Sequence, residues 1–173
     1  HNEDMSSSGE PQMKKRFGAA ILAVGAMVMT PGLANADPVA PQLGLGCSSE
    51  LSGAMTLLPD GQTYAICQEM IHSAVWASVP TPFDPNDTWF SYGPTITLHG
   101  QGMRNPSLRS GNWTATPQDP ETSCRAQQQT VVEAGALSAP EVSQGEPGKP
   151  LDVEMLPKLF YAELSGNCLW TRV

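Results

Sequence analysis

Apolar and polar positions alternate along much of this chain at the two-residue period of a half-buried strand. "LDVEML" (151–156) is the strictest case, with Leu151, Val153 and Met155 on one face and Asp152 and Glu154 on the other. "CRAQQQTVV" (124–132) sets Cys124, Ala126, Gln128 and Thr130 on a common face, and "WTATP" (113–117) and "TITLHG" (95–100) are two more short β-prone runs. In "AMTLLPDGQTYAIC" (54–67), β-prone segments flank Pro59-Asp60-Gly61. Pro presets φ and Gly supplies a positive φ there, so the pattern predicts a hairpin. "MIHSAVWASV" (70–79) reads as a strand with Ala74 and Trp76 on one face, and "KLFYAEL-SGN-CLWTRV" (158–173) as a closing hairpin turning at Ser165-Gly166-Asn167.

Between these runs lie breakers. "PTPFDPNDTWFSYGP" (80–94) holds four Pro and is expected to be a loop presenting Phe83, Trp89, Phe90 and Tyr92. "QGMRNPSLRSGN" (101–112) is a second loop, and 133–150, poor in large apolar residues and rich in Gly and Pro, a flexible connection. Outside the N-terminal region no run keeps apolar residues at helical spacing. With 16 Gly and 16 Pro punctuating many short runs, the expected fold is all-β: a small disulfide-stapled antiparallel β-sandwich or barrel following an N-terminal signal helix.

That signal is "MKKRFGAAILAVGAMVMTPGLANADPVA". Lys14, Lys15 and Arg16 precede a charge-free apolar run, Phe17 to Met29, and then Pro31-Gly32 and Ala34-Asn35-Ala36. A basic start, an apolar centre and a small-x-small end make a Sec-type signal cut between Ala36 and Asp37. The apolar run of 13 residues falls short of the about 20 a spanning helix needs, so no stable membrane anchor is expected after cleavage. Residues 1–12 are polar, without pattern, and read as a disordered upstream extension. Residues 37–173 then form a single secreted β domain.

Removing the signal leaves six Lys and Arg against fourteen Asp and Glu. Such a surface repels phosphate backbones and anionic membranes, which excludes nucleic acid as a partner. Four Cys remain, Cys47, Cys67, Cys124 and Cys168. An even count in an exported chain predicts two disulfides. Of the three possible pairings, Cys47–Cys67 with Cys124–Cys168 closes the shorter loops. No Cys pair has zinc-ligand spacing, Asp84-Asn86-Asp87 matches a calcium loop only loosely, and nothing in the sequence calls for a cofactor.

Candidate chemistry is thin. "TITLHGQG" resembles the oxyanion loop of lipases and esterases, in which glycine N–H groups meet developing negative charge. The chain lacks the G-x-S-x-G elbow which that fold requires, so Gly100 and Gly102 read as a turn or bulge. His99 is the alternative catalytic centre, and would need a Ser and a carboxylate within hydrogen-bond reach. The favoured reading is a non-enzymatic binding domain for a protein, carbohydrate or lipid outside the cell. Its contact surface would come from the two loops, with Trp89, Phe90, Arg104 and Arg109 as the residues to test.

"ANADP", "LPDGQTYAICQ", "ITLHGQGMRNPSLRSGNWTATPQDPETSC" and "LSGNCLWTRV" together resemble small secreted proteins of unknown function from mycobacteria and related actinobacteria. The resemblance implies export and disulfides and brings no catalytic residue with it. Size and four Cys also invite comparison with actinobacterial subtilisin inhibitors, a secreted protease inhibitor being a further alternative, but the Cys spacings differ and no reactive loop is recognisable.

The export reading makes a mass prediction. The secreted protein is expected to weigh as Asp37–Val173 less the hydrogens lost in two disulfides, and to accept alkylation at four Cys only after reduction. An uncleaved mass, or thiols that react before reduction, would sink it.

Overall fold

The computed structural model describes residues 38–173; the signal segment, its cleavage residues Ala34, Ala36 and Asp37, and the upstream extension lie outside them. The described residues contain no α-helix. One 3-10 turn, Ser49–Leu51, precedes ten strands: β1 (Met55–Leu57), β2 (Tyr64–Glu69), β3 (Ala74–Val79), β4 (Thr88–His99), β5 (Gly111–Pro117), β6 (Arg125–Glu133), β7 (Ala136–Leu137), β8 (Glu141–Gln144), β9 (Leu151–Met155) and β10 (Leu159–Arg172). The strands run β3-β2-β1-β4-β10-β5-β9, with β6 branching from β10 and carrying β7 and β8. Every pairing is antiparallel except β1 with β4, which meet in parallel at Met55 and Trp89. The protein is thus all-β and stapled by two disulfides, Cys47–Cys67 and Cys124–Cys168.

The predicted hairpin at Pro59-Asp60-Gly61 forms as β1–β2. Asp60 accepts from the Gln62 and Thr63 amides and from the Thr63 hydroxyl. These bonds, the Thr63 hydroxyl foremost, hold its pKa below the usual carboxylate value. Gly61 takes the positive φ that the turn requires. Segment 133–150 differs from expectation: instead of a strandless connection it lays β7 and β8 along β6. Its residues are exposed or half-buried, and the apolar pattern carries little trace of edge strands that pack on nothing.

The largest departure is at the C-terminus. "LFYAELSGNCLWTR" is not a hairpin but one 14-residue strand, β10, paired with β4 along most of its length. Its other edge changes partner, from β6 over Leu159–Ser165 to β5 over Cys168–Arg172. The Ser-Gly-Asn triplet read as a turn is instead the place where the ladder bends. Gly93 and Gly166 face each other there, both at positive φ. Next to them Pro94 and Thr95 oppose the single Ser165. This is a β-bulge in β4, a position where Pro does not break a ladder.

The bend is fixed by polar groups inside the core. Ser91, fully buried, donates from Oγ to the Gly166 carbonyl at 2.6 Å and accepts from the Trp170 indole at 2.9 Å. On the outer side Asp119 accepts from the Thr122 hydroxyl and from Asn167 Nδ2, and the Thr122 bond leads in holding its pKa low. The Cys124–Cys168 bridge crosses beside the bend, where a Cβ on Gly166 would stand 2.6 Å from the Ser123 carbonyl oxygen and 3.2 Å from Cys168 Sγ.

Trp89, Trp113, Trp170, Leu98, Leu108, Leu159 and Leu164 form the centre of one continuous core. Gln128 on β6 is buried among them and reaches across to the end of β9. Its amide donates to the Glu154 carbonyl and accepts from the Leu156 N–H, so a side chain supplies the pairing that no strand supplies there. At the opposite edge residues 44–47 cover β3, through Gly44 and Trp76, Trp76 and Leu45, and Cys47 and Ala74.

Gly166→Ala is expected to lower stability by at least about 2 kcal/mol, since it combines a positive-φ penalty with a steric overlap. Gly61→Ala, at positive φ with open space around it, is expected to cost only about 1 kcal/mol. Urea midpoints of the two variants check the difference. Equal losses would mean that the bend is not the constrained point.

Candidate functional site

Two loops that flank β4 in sequence meet in the fold. The first, 80–87, leads into β4; the second, 100–110, leaves it. Asn86 joins them. Its N–H donates to the Ser107 carbonyl, and its side-chain amide donates to the Gly53 and Thr88 carbonyls. The second loop is pinned from below: Gly100 and Gly102 donate to Phe160 and Leu159 of β10, and Ser107 returns to the His99 carbonyl. A Cβ on Gly100 would lie 2.4 Å from Leu159, and one on Gly102 2.3 Å from the Lys158 carbonyl oxygen. The "HGQG" glycines are therefore a close-packing device, with both N–H groups already engaged, and not an oxyanion site.

Between the loops lies an open groove of about 440 Å³. Phe83 and Tyr64 give it an aromatic surface, their rings edge to face at 4.9 Å and both packed on the buried Trp89. His99, Ser107, Arg104 and Asn105 supply its polar groups. A second hollow of about 540 Å³ shares Pro82, Phe83 and Asn105 with the first and extends past them to Asp84. Asn105 sits at φ 56, in the left-handed region that Asn tolerates better than most residues.

The expected contact residues divide. Trp89 and Phe90 are not at the surface: they are 0% and 6% exposed. The strand begins at Thr88, not at Thr95 as the Pro-rich composition implied, and both faces of its first half are covered. Trp89 packs beneath Tyr64 and Phe83, and Phe90 stacks on Trp76 at 5.9 Å. Tyr92 is buried as well, donating its hydroxyl to the Leu57 carbonyl, and burial pushes its pKa up. Arg109 lies outside the groove and pairs with Asp87 at 3.0 Å, an ion pair more than an aligned hydrogen bond. Arg104 and His99 do line the groove.

Around His99 the trio needed for nucleophilic catalysis is not assembled. Among the described residues no hydrogen bond joins its imidazole to a serine or a carboxylate, and no Asp or Glu lines the first hollow. The Asp84–Asp87 stretch gathers no metal-ligand cluster among the described residues, and Asn86 spends its amide on the backbone. The exposed turn Met70–Ser73 after Cys67 is closed by a Met70 to Ser73 hydrogen bond, unlike the extended backbone of a substrate-mimicking inhibitor loop. Tyr64, Met103, Asn105 and Ser107 escaped the sequence reading because their proximity depends on the bend and on Asn86, not on any local pattern.

No family model, curated protein or solved structure matches the chain. The described residues contain no helix long and apolar enough to cross a membrane.

Asn86→Ala keeps the backbone bond to Ser107 but removes the side-chain bonds that orient it, leaving the Gly53 and Thr88 carbonyls without their donor. It is expected to cost about 1–3 kcal/mol and to speed amide exchange at Ser107 and Asn86. Exchange rates at those amides unchanged from wild type would show that the loops hold each other without it.

Proposed function

We propose that this chain is an exported binding domain which engages a ligand outside the cell or at its envelope through the groove between loops 80–87 and 100–110. The observation that carries this reading is the convergence itself. Two loops that flank β4 are joined by the Asn86 N–H over an aromatic surface, and a cation without a carboxylate partner among the described residues, Arg104, stands on the wall. Concave sites with aromatic linings and a few placed polar groups are where ligands bind.

Export is supported by the signal pattern and by two disulfides, which persist in oxidising compartments. The resemblance to actinobacterial secreted proteins supports the same compartment. The facing of the β6 and β9 branches across Gln128 supports a sandwich over a flat sheet. The hydrolase reading around His99 has no observation in its favour beyond the presence of His99 in the groove.

The test is sedimentation of the purified exported protein with the insoluble envelope fraction of its producing cell. Wild type is expected in the pellet, and Phe83→Ser/Arg104→Gln in the supernatant at the same urea midpoint. A double variant that pellets like wild type would remove the groove as the contact surface.

A further inference from the structure

We infer that the groove takes a negatively charged sugar ring, a carboxylated or sulfated saccharide, stacked on Phe83 and Tyr64 with its anion at Arg104. This deepens the binding reading above and rests on it.

Charge points to an anion. The chain has a formal net charge of −8, yet the first hollow is lined by Arg104 and His99 and by no carboxylate. The described ion pairs are Arg109 with Asp87 and Lys149 with Glu146. Arg104 is in neither, and its guanidinium makes no hydrogen bond to a described residue. At physiological salt, charges beyond about 8 Å are screened, so an anion in the groove meets this local cation and not the acidic surface as a whole. A guanidinium also offers paired donors that match a carboxylate or sulfate.

Shape and polarity point to a sugar. Phe83 and Tyr64 are half-buried and held edge to face against Trp89, so they present a fixed surface instead of a deep apolar hole. Around them stand uncharged donors and acceptors: Thr81, Asn105 and Ser107. A ring with an apolar face and a hydroxylated rim fits that arrangement. The second hollow continues past Phe83 to Asp84, which leaves room for a further ring that is uncharged. A peptide is less well served. The strand that carries Tyr64 is already paired on both edges, β2 by β1 and β3, so it offers no backbone ladder for strand addition.

The experiment is affinity electrophoresis and calorimetry of the exported protein with three probes of equal length: an oligogalacturonate, its methyl ester, and a sulfated neutral oligosaccharide. The inference expects at least one charged probe to bind, roughly tenfold or more tighter than the ester, as charge-assisted pairing implies. Arg104→Gln should erase that preference, Phe83→Ala should weaken all probes, and added salt should weaken only the charged ones. Which charged probe binds tells carboxylate from sulfate. An ester that binds as tightly as the acid would overturn the anion assignment. Wild type that binds no probe, while its envelope sedimentation still depends on Phe83 and Arg104, would overturn the saccharide and leave the groove standing. Loss of that dependence as well would remove both.

Discussion

The structure depends on one bend in one ladder. β4 and β10 are the two longest strands; β1, β5 and β6 pair with one or the other, and the remaining strands attach through those three. A straight ladder of that length would offer β10 a single partner on its far edge. The Gly93–Gly166 bend redirects it, so that β6 takes the first half and β5 the second. Two branches then enclose a core that one flat sheet could not. The bend is held by groups that leave no buried polar atom idle: Ser91 serves both the Gly166 carbonyl and the Trp170 indole, and a lone buried hydroxyl or indole N–H would cost about 1–3 kcal/mol. The Cys124–Cys168 staple beside it closes a separation of 44 residues, which restricts the unfolded chain across the same junction.

The groove follows from that arrangement. Loops 80–87 and 100–110 sit at opposite ends of β4 in sequence, yet they meet because the Asn86 segment runs back along Leu108 and Ser107. Trp89 connects core and groove: its indole donates to the Asn86 carbonyl while its ring supports Tyr64 and Phe83. The aromatic surface is consequently as rigid as the core below it, which reduces the ordering cost of any ligand it receives.

Much of the fold was legible in the chain. Alternation identified β9 and β6, turn chemistry identified the β1–β2 hairpin, and loop length picked the disulfide pairing. What failed did so for a common reason. "SGN" is turn chemistry whether the chain reverses or only bulges, and the choice is made by Ser91, Cys124 and the partner strands, none of them local. Trp89 and Phe90 sit in a Pro-rich stretch, yet both faces of their strand are buried, so no two-residue alternation marks it. For the site, Arg104 and His99 were visible as unusual residues in a loop. Tyr64 and Ser107 were not, because only the closed fold brings them to the same place.

The 44–47 segment has a consequence beyond fastening the N-terminal side of the domain. β3 is the last strand of its side of the sheet, and its outer backbone groups are satisfied by Gly44, Leu45 and Cys47, with Cys47 bonded in turn to Cys67 two strands away. An uncovered strand edge is a template for another chain. The Cys47–Cys67 bond therefore does more than close a loop: it fastens to β2 the segment that covers the β3 edge.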